Sequence, residues 1–379
     1  MSVQAILDDP ALMIMATGAL VGTAAALLGP FLILRQNAML SDAISHSIVF
    51  GIVVVWMATG AVAGPVQIVG AALTGVLTVV LTEVLVASRR VHDDAAIGLV
   101  FPVLFSLGVL LLNLYASDVH IDAHTVLLGE IGFVWLNTVE VGPYLVPRAV
   151  LWMGTMTLIN LVFVLAFWKE LKLATFDPLL AHAFGLMPRA MFYALLFLTS
   201  STAVAAFDAV GAILFIAFII APPAAAYLLT DRLWKMLVIG VLISLLSTVL
   251  GYWLAVRLDV SIGGTMAAMT GVFLTLAWVL APRHGLTAGL LRDLRRRRLD
   301  ETRALVVHLA THEGTPEERH EENRAGALGP HLGWTDARAG TALRRSLAGG
   351  YVLREGEALH LTPKGRATAE ALLEPWRRG

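Results

Sequence analysis

Between residues 11 and 281 the sequence returns repeatedly to apolar runs of membrane-crossing length: 11–34, 38–60, 65–87, 95–115, 147–168, 190–207, 210–229, 234–256 and 264–281. A helix needs about 20 such residues to cover roughly 30 Å of hydrocarbon, so the pattern admits little except an all-α polytopic membrane protein. Nine spans are expected, or eight if 190–207 and 210–229, parted only by Phe207-Asp208-Ala209, form one. A shorter apolar stretch, 125–137, reads as a re-entrant or interfacial helix. Charge divides the chain at the same place. Residues 1–282 hold 10 Lys+Arg and 15 Asp+Glu, whereas 283–379 hold 17 and 13. Soluble proteins carry about 25% charge, so the first segment is too poor in charge for water and the second is ordinary soluble protein. The expected organisation is a transmembrane domain over 1–285, a basic linker over 286–299 and a small α/β cytoplasmic domain over 300–379.

Orientation follows from Lys and Arg, which are enriched in cytoplasmic loops. With the N-terminus outside, Arg35, Arg89, Arg90, Lys169, Lys172, Arg189, Arg232 and Lys235 fall inside, against Arg148 and Arg257 outside. Arg283 and the run Arg295 to Arg298 then also lie inside, the run meeting anionic lipid headgroups. The opening MSVQAILDDP has no basic region before its apolar run, so that run is expected to remain as a span. The chain has no Cys, which removes disulfides, thiolate zinc sites and iron–sulfur clusters and leaves His and carboxylates as metal ligands. Its lysines, Lys169, Lys172, Lys235 and Lys364, all lack the preceding Gly of a phosphate-binding loop. Neither a His-Glu-x-x-His helix nor a Gly-x-Ser-x-Gly elbow occurs, so a transporter without its own ATPase or hydrolase is favoured over an enzyme.

Ionisable groups inside a span are costly and mark function. Asp42 and His46 open the second span four residues apart, on one helical face. Together they could hold Mn²⁺, Fe²⁺ or Zn²⁺. Equally, they could be a hydrogen-bonded pair that locks two helices. Glu83 reads as an interfacial charge within reach of water or of Arg89 and Arg90. Asp208 reads as a turn residue between spans that could also draw cations to the outer mouth, and His120, Asp122 and His124 as an outer-loop cluster where a cation could enter.

Five stretches carry a resemblance: FLILRQNAMLSDAISHSIVFG (31–51), DDAAIGLVFPVLFSLGVLLL (93–112), IDAHTVLLGEI (121–131), TFDPLLAHAFGL (175–186) and VGAILFIAFIIAPPAAAYLLTDRLWKML (210–237). In this order they resemble the integral permeases of the manganese, zinc and iron ABC importers over residues 10–285. The resemblance implies that Asp42 and His46 line the path and bind the transported divalent metal, with no covalent cofactor. It also implies that the segment with Asp177, Pro178, Ala181 and Gly185 docks on a separate ABC ATPase, which uses the ATP. A second permease subunit, identical or related, and an extracytoplasmic metal-binding protein complete the implied assembly in a bacterial inner membrane. Ser41 stands where many members have Gly, and Val49-Phe50 replaces a Leu-Pro pair. The Asp-Ala-Ile-Ser-His form is closer to the manganese and iron branch than to the zinc branch. Read from its residues, the coupling segment is a short helix capped by Asp177, begun by Pro178 and stopped by Gly185.

The tail reads as helix, helix, hairpin, helix: LDETRALVVHLATHEG, then TDARAGTALRRSLAGGYV capped by Thr335, then strands about Glu355-Gly356-Glu357, then ATAEALLEPW. This order resembles a winged helix of the iron-dependent repressor type. Arg344, Arg345 and Arg354 could meet nucleic-acid phosphates, making a membrane-tethered metal-sensing regulator the alternative function. Contact with the ATPase, dimerisation or metal sensing through His308 and His312 are other uses, and a secondary carrier is a third class.

Overall fold

The computed structural model describes residues 3–60, 64–115, 131–282, 285–313 and 323–377. It divides into two compact units, Met1–Gly285 and Leu286–Gly379.

The first unit is a helical bundle. A short helix α1 (Val3–Leu7) precedes α2 (Pro10–Leu34), which Asp9 starts by accepting from the backbone N–H groups of Ala11 and Leu12. Then come α3 (Ala38–Thr59), α4 (Pro65–Ala87) and α5 (Asp93–Tyr115). The expected re-entrant stretch lies partly outside the described residues. Its described part forms a 3₁₀ turn, Ile131–Phe133, followed by a β-hairpin that the all-α expectation missed. Strand β1 (Thr138–Val141) pairs antiparallel with β2 (Tyr144–Pro147) around Gly142, whose φ of +61° suits the turn. Next are α6 (Arg148–Ala166), α7 (Trp168–Phe176), α8 (Pro178–Ala183), α9 (Pro188–Leu229), α10 (Leu233–Leu258) and α11 (Ile262–Leu280).

Eight helices among the described residues are long and apolar enough to cross a membrane. One of them, α9, has 42 residues. A straight helix of that size would measure about 63 Å, twice the hydrocarbon thickness. It does not run straight. Gly211 has φ 80° and ψ 167°, a conformation open to glycine and strained for any residue with a Cβ. The rings of Phe207 and Phe215, about 12 Å apart by rise in a continuous helix, lie 6.1 Å apart. Contacts with α2 fix the sense of each limb. Arg35, at the end of α2, lies over Phe192, and Asn160 of α6 donates to both Ala24 O and Thr202 Oγ1, so α2 runs antiparallel to the first limb. Gly22 packs on the Phe218 ring and Gly29 on Ile219 and Pro223, so the same helix runs parallel to the second limb. The two limbs therefore reverse direction, so the eight helices supply nine limbs of the bundle among the described residues, and the reversal sits at Gly211 instead of at Phe207-Asp208-Ala209.

Close approach holds the bundle together. A Cβ on Gly18 would lie 2.9 Å from Thr248 Cγ2, one on Gly22 2.8 Å from Ser244 Cβ, and one on Gly251 2.5 Å from Met266 Cα. Small residues at these crossings let backbones meet, which matters where lipid removes the hydrophobic drive between helices. Buried hydroxyls return their protons to carbonyls one turn back, as Thr17 does to Met13, Ser244 to Gly240 and Thr248 to Ser244.

In the second unit α12 (Leu286–His312) takes in the residues expected as a basic linker, which are helical. It is followed by α13 (Leu328–Leu332), α14 (Asp336–Ala348), strands β3 (Val352–Glu355) and β4 (Ala358–Leu361), and α15 (Pro363–Arg377). Leu305, Val306, Leu309, Leu328, Leu343, Val352, Leu359 and Leu361 form its core. Beyond the expected hairpin, Arg324 bridges Ala358 on the free side of β4, with Ala325 N–H donating to Glu357 O and Leu359 N–H to Asn323 O.

Candidate metal site

The rotation of α3 is set by its contact with α4. Ile44, Ser47 and Gly51 form the stripe that faces it. Thr78 donates to Ser47 Oγ at 2.6 Å, a Cβ on Gly51 would strike Thr74, and one on Gly75 would lie 3.0 Å from Ile44. Ser41 and Ser45 are also buried, with Ser45 Oγ donating to Ser41 O. With that stripe committed, Asp42 and His46 are left on another side. There they stay 40% and 32% exposed, with Asp42 Oδ1 and His46 Nε2 3.5 Å apart. From α5, Phe101 stacks on the His46 ring at 5.7 Å and Phe105 meets it edge-on at 6.2 Å. Gly108 then brings the α5 backbone against Phe50, so α3 and α5 run parallel.

The aromatic pair holds the imidazole from one side and leaves the carboxylate beside it accessible. A carboxylate and an imidazole on one helical face supply two mixed O/N donors, a set that suits a divalent transition metal. Among the described residues no group of three or more His, Cys, Asp or Glu side chains is placed to hold a metal. Two donors leave most of a coordination sphere unfilled.

Asp208 is exposed, three residues before the Gly211 reversal, at the end of the bundle away from Arg35. His120, Asp122 and His124 lie outside the described residues. Glu83 accepts a hydrogen bond from Tyr193 on α9, a partner far from Arg89 and Arg90 in sequence. Arg35 is half-buried with its guanidinium 4.5 Å from the Phe192 ring centroid. Burial lowers its pKa from the ordinary value, and a guanidinium stays charged regardless.

The segment between α7 and α9 is built as its residues suggested. Asp177 Oδ1 accepts from Leu180 N–H at 2.9 Å, and Pro178 opens α8. Gly185, at φ +76°, closes it, with Gly185 N–H bonded to His182 O and Leu186 N–H to Ala181 O. That pair of bonds is a Schellman cap. Ala181 is wholly buried, so it seats the helix. The presented surface is one that the sequence did not single out: Leu179, Phe184 and Met187 are 86%, 71% and 73% exposed.

In the second unit the arginines are already engaged. Arg345 and Arg338 both pair with Glu301, and Arg354 pairs with Glu357 and Gly356 O. Arg344 donates to Thr341. The rings of His308 and His312 lie 4.9 Å apart, and His331 of α13 comes within 6.0 Å of His308.

The profile of the ABC 3 transport family matches residues 10–281. The zinc transport system membrane protein TroD of Treponema pallidum is 42% identical over 355 residues, covering 93% of this chain and 96% of its own. The manganese transport system membrane protein MntD of Bacillus subtilis is 47% identical over 282 residues, 74% of this chain and 95% of its own. Among solved structures, PsaBC from Streptococcus pneumoniae in complex with Fab aligns with a TM-score of 0.61 and 26% identity, over 72% of this chain and 92% of that one. With a profile covering most of its length and relatives matched nearly end to end, the chain belongs to the ABC 3 transport family.

Proposed function

We propose that this chain is the permease subunit of an ATP-driven importer of divalent transition metals, with manganese as its favoured cargo. The carrying observation is the Asp42–His46 pair: two metal donors on one helical face, exposed from a span where an uncovered carboxylate is costly. Lipid is a poor neighbour for that face, and the chain's own described residues do not complete the coordination. A second permease subunit, identical or related, would both cover the pair and add donors to the transported ion. Manganese is favoured because the Bacillus subtilis relative is named for it, while TroD is named for zinc, and the same donors serve both.

In this reading the exposed apolar knob of α8 seats in a separate ATPase, capped at both ends so that it moves as a rigid body. An extracytoplasmic binding protein delivers the ion, and Asp208 adds negative charge where it would arrive. The Lys and Arg distribution orients the α8 end and the C-terminal unit to the cytoplasm of a bacterial inner membrane. For the tail, the helix, helix, hairpin order, with a single bridge from Arg324 to Ala358 beside β4, favours a winged helix. Use of that fold on nucleic acid is disfavoured. Arg345 and Arg354 are held by carboxylates, and the hairpin turn carries Glu355 and Glu357. The TroD match, at 93% of the chain, takes in most of the tail as part of a transport protein.

The test is Mn²⁺ uptake by vesicles reconstituted with the permease, its ATPase and binding protein. Asp42→Ala and His46→Ala are each expected to abolish uptake while the complex still assembles. Uptake at the wild-type rate in both would sink the assignment.

A further inference from the structure

We propose that Tyr193 and Glu83, together with Arg35 on Phe192, form the joint that carries motion of the α8 segment to the Asp42–His46 pair; this rests on the reading that α8 receives the ATPase. The chain leaves α8 at Ala183 and re-enters helix at Pro188, so Phe192 and Tyr193 lie within the first two turns of α9. These two neighbours grip two different helices. Phe192 carries the Arg35 guanidinium, and Tyr193 donates to the Glu83 carboxylate of α4.

Each grip leads to α3. Arg35 caps the end of α2, and the next residue, Gln36, sits at φ +59°, a left-handed conformation uncommon for a residue with a side chain. Two backbone bonds, Gln36 N–H to Ile33 O and Asn37 N–H to Leu32 O, hold that turn closed and point the chain straight into α3. Asp42 is the fifth residue of that helix. The other grip passes through α4, whose Thr78 bonds Ser47, the residue after His46. A displacement of the start of α9 therefore reaches α3 at two points, at its first turn and on its flank. Both grips use a charged group, a half-buried guanidinium on a ring and a phenol on an exposed carboxylate, and contacts of these two kinds are directional. Packed helices joined in this way shift together, because a close-packed interior transmits strain.

Tyr193→Phe removes the hydrogen bond, and Glu83→Gln keeps an acceptor but removes the charge that strengthens it, each with little change in side-chain size. The experiment reads Mn²⁺ delivered per ATP hydrolysed in reconstituted vesicles, alongside Mn²⁺ binding to the purified complex. Each variant is expected to deliver about tenfold less Mn²⁺ per ATP, the scale set by one charge-assisted hydrogen bond. Mn²⁺ binding and complex assembly should stay at wild-type levels, which a mere loss of folding would not allow. The double variant should be no worse than Tyr193→Phe alone, since both changes act on the same bond. Wild-type coupling in either variant, or losses that multiply in the double, would overturn the joint. Asp42→Ala serves as the separate control. If it abolishes uptake while Tyr193→Phe and Glu83→Gln stay coupled, the joint alone fails; if it leaves uptake intact, the transport reading fails and the joint with it.

Discussion

The two units of this chain solve the packing problem by opposite means. In the membrane unit helices meet at glycines and hydroxyls, and the few charges inside spans have particular neighbours: Asp42 beside His46, Glu83 beneath Tyr193. In the second unit a leucine and valine core does the packing, and charges pair on its outside, as Glu301 does with Arg338 and Arg345. The difference teaches how to weigh a polar residue. The pairs Asp42–His46 and His308–His312 have the same spacing, yet the first lies in an apolar span where its presence needs a reason, and the second on a helix in a unit where polar residues are ordinary.

The contrast breaks most readily at a glycine crossing. A side chain on Gly29 would run into the backbone carbonyl of Ile219, which cannot swing aside as a side chain can. Gly29→Leu is expected to cost about 3 kcal/mol or more and to abolish monodisperse protein in detergent gel filtration. An intermediate effect is expected in the second unit, where Leu305 is fully buried. Leu305→Ala should destabilise that unit by about 2–5 kcal/mol, seen as rapid proteolysis within 286–379 while residues 10–281 stay resistant. The smallest effect belongs to the ion pairs. Glu301 is 16% exposed but its partners Arg338 and Arg345 are more open. Glu301→Ala is expected to lower the stability of the second unit by about 1 kcal/mol, a shift that 0.5 M salt should reproduce in part in the wild-type protein.

Much of this architecture is legible in the sequence because a span must be long and apolar, and few other segments satisfy that. The reversal in α9 was harder to place. Asp208 marks a break by charge, but an acid at an exposed helical position breaks nothing, and only Gly211 can adopt φ 80° without strain. The β1–β2 hairpin follows the apolar stretch 125–137, and Gly142-Pro143 after the β-branched Thr138, Val139 and Val141 announces its turn. At the site, the spacing of Asp42 and His46 is readable, whereas Phe101 and Phe105 meet His46 only through helix pairing over more than fifty residues. Arg89 and Arg90 are the basic residues nearest Glu83 in sequence. Its actual donor comes from 110 residues away. The α8 caps were legible because capping is local; the surface it presents, Leu179, Phe184 and Met187, depends on which side Ala181 buries.

The central claim is that Asp42 and His46 hold the transported ion, and equilibrium dialysis of the purified complex against Mn²⁺, with bound metal counted by mass spectrometry, tests it most directly. Wild-type protein should retain Mn²⁺, and Asp42→Ala and His46→Ala should each weaken retention by more than about 100-fold, since loss of even an outer-shell group can cost that much. Equal retention of Mn²⁺ by the wild type and both variants would contradict it.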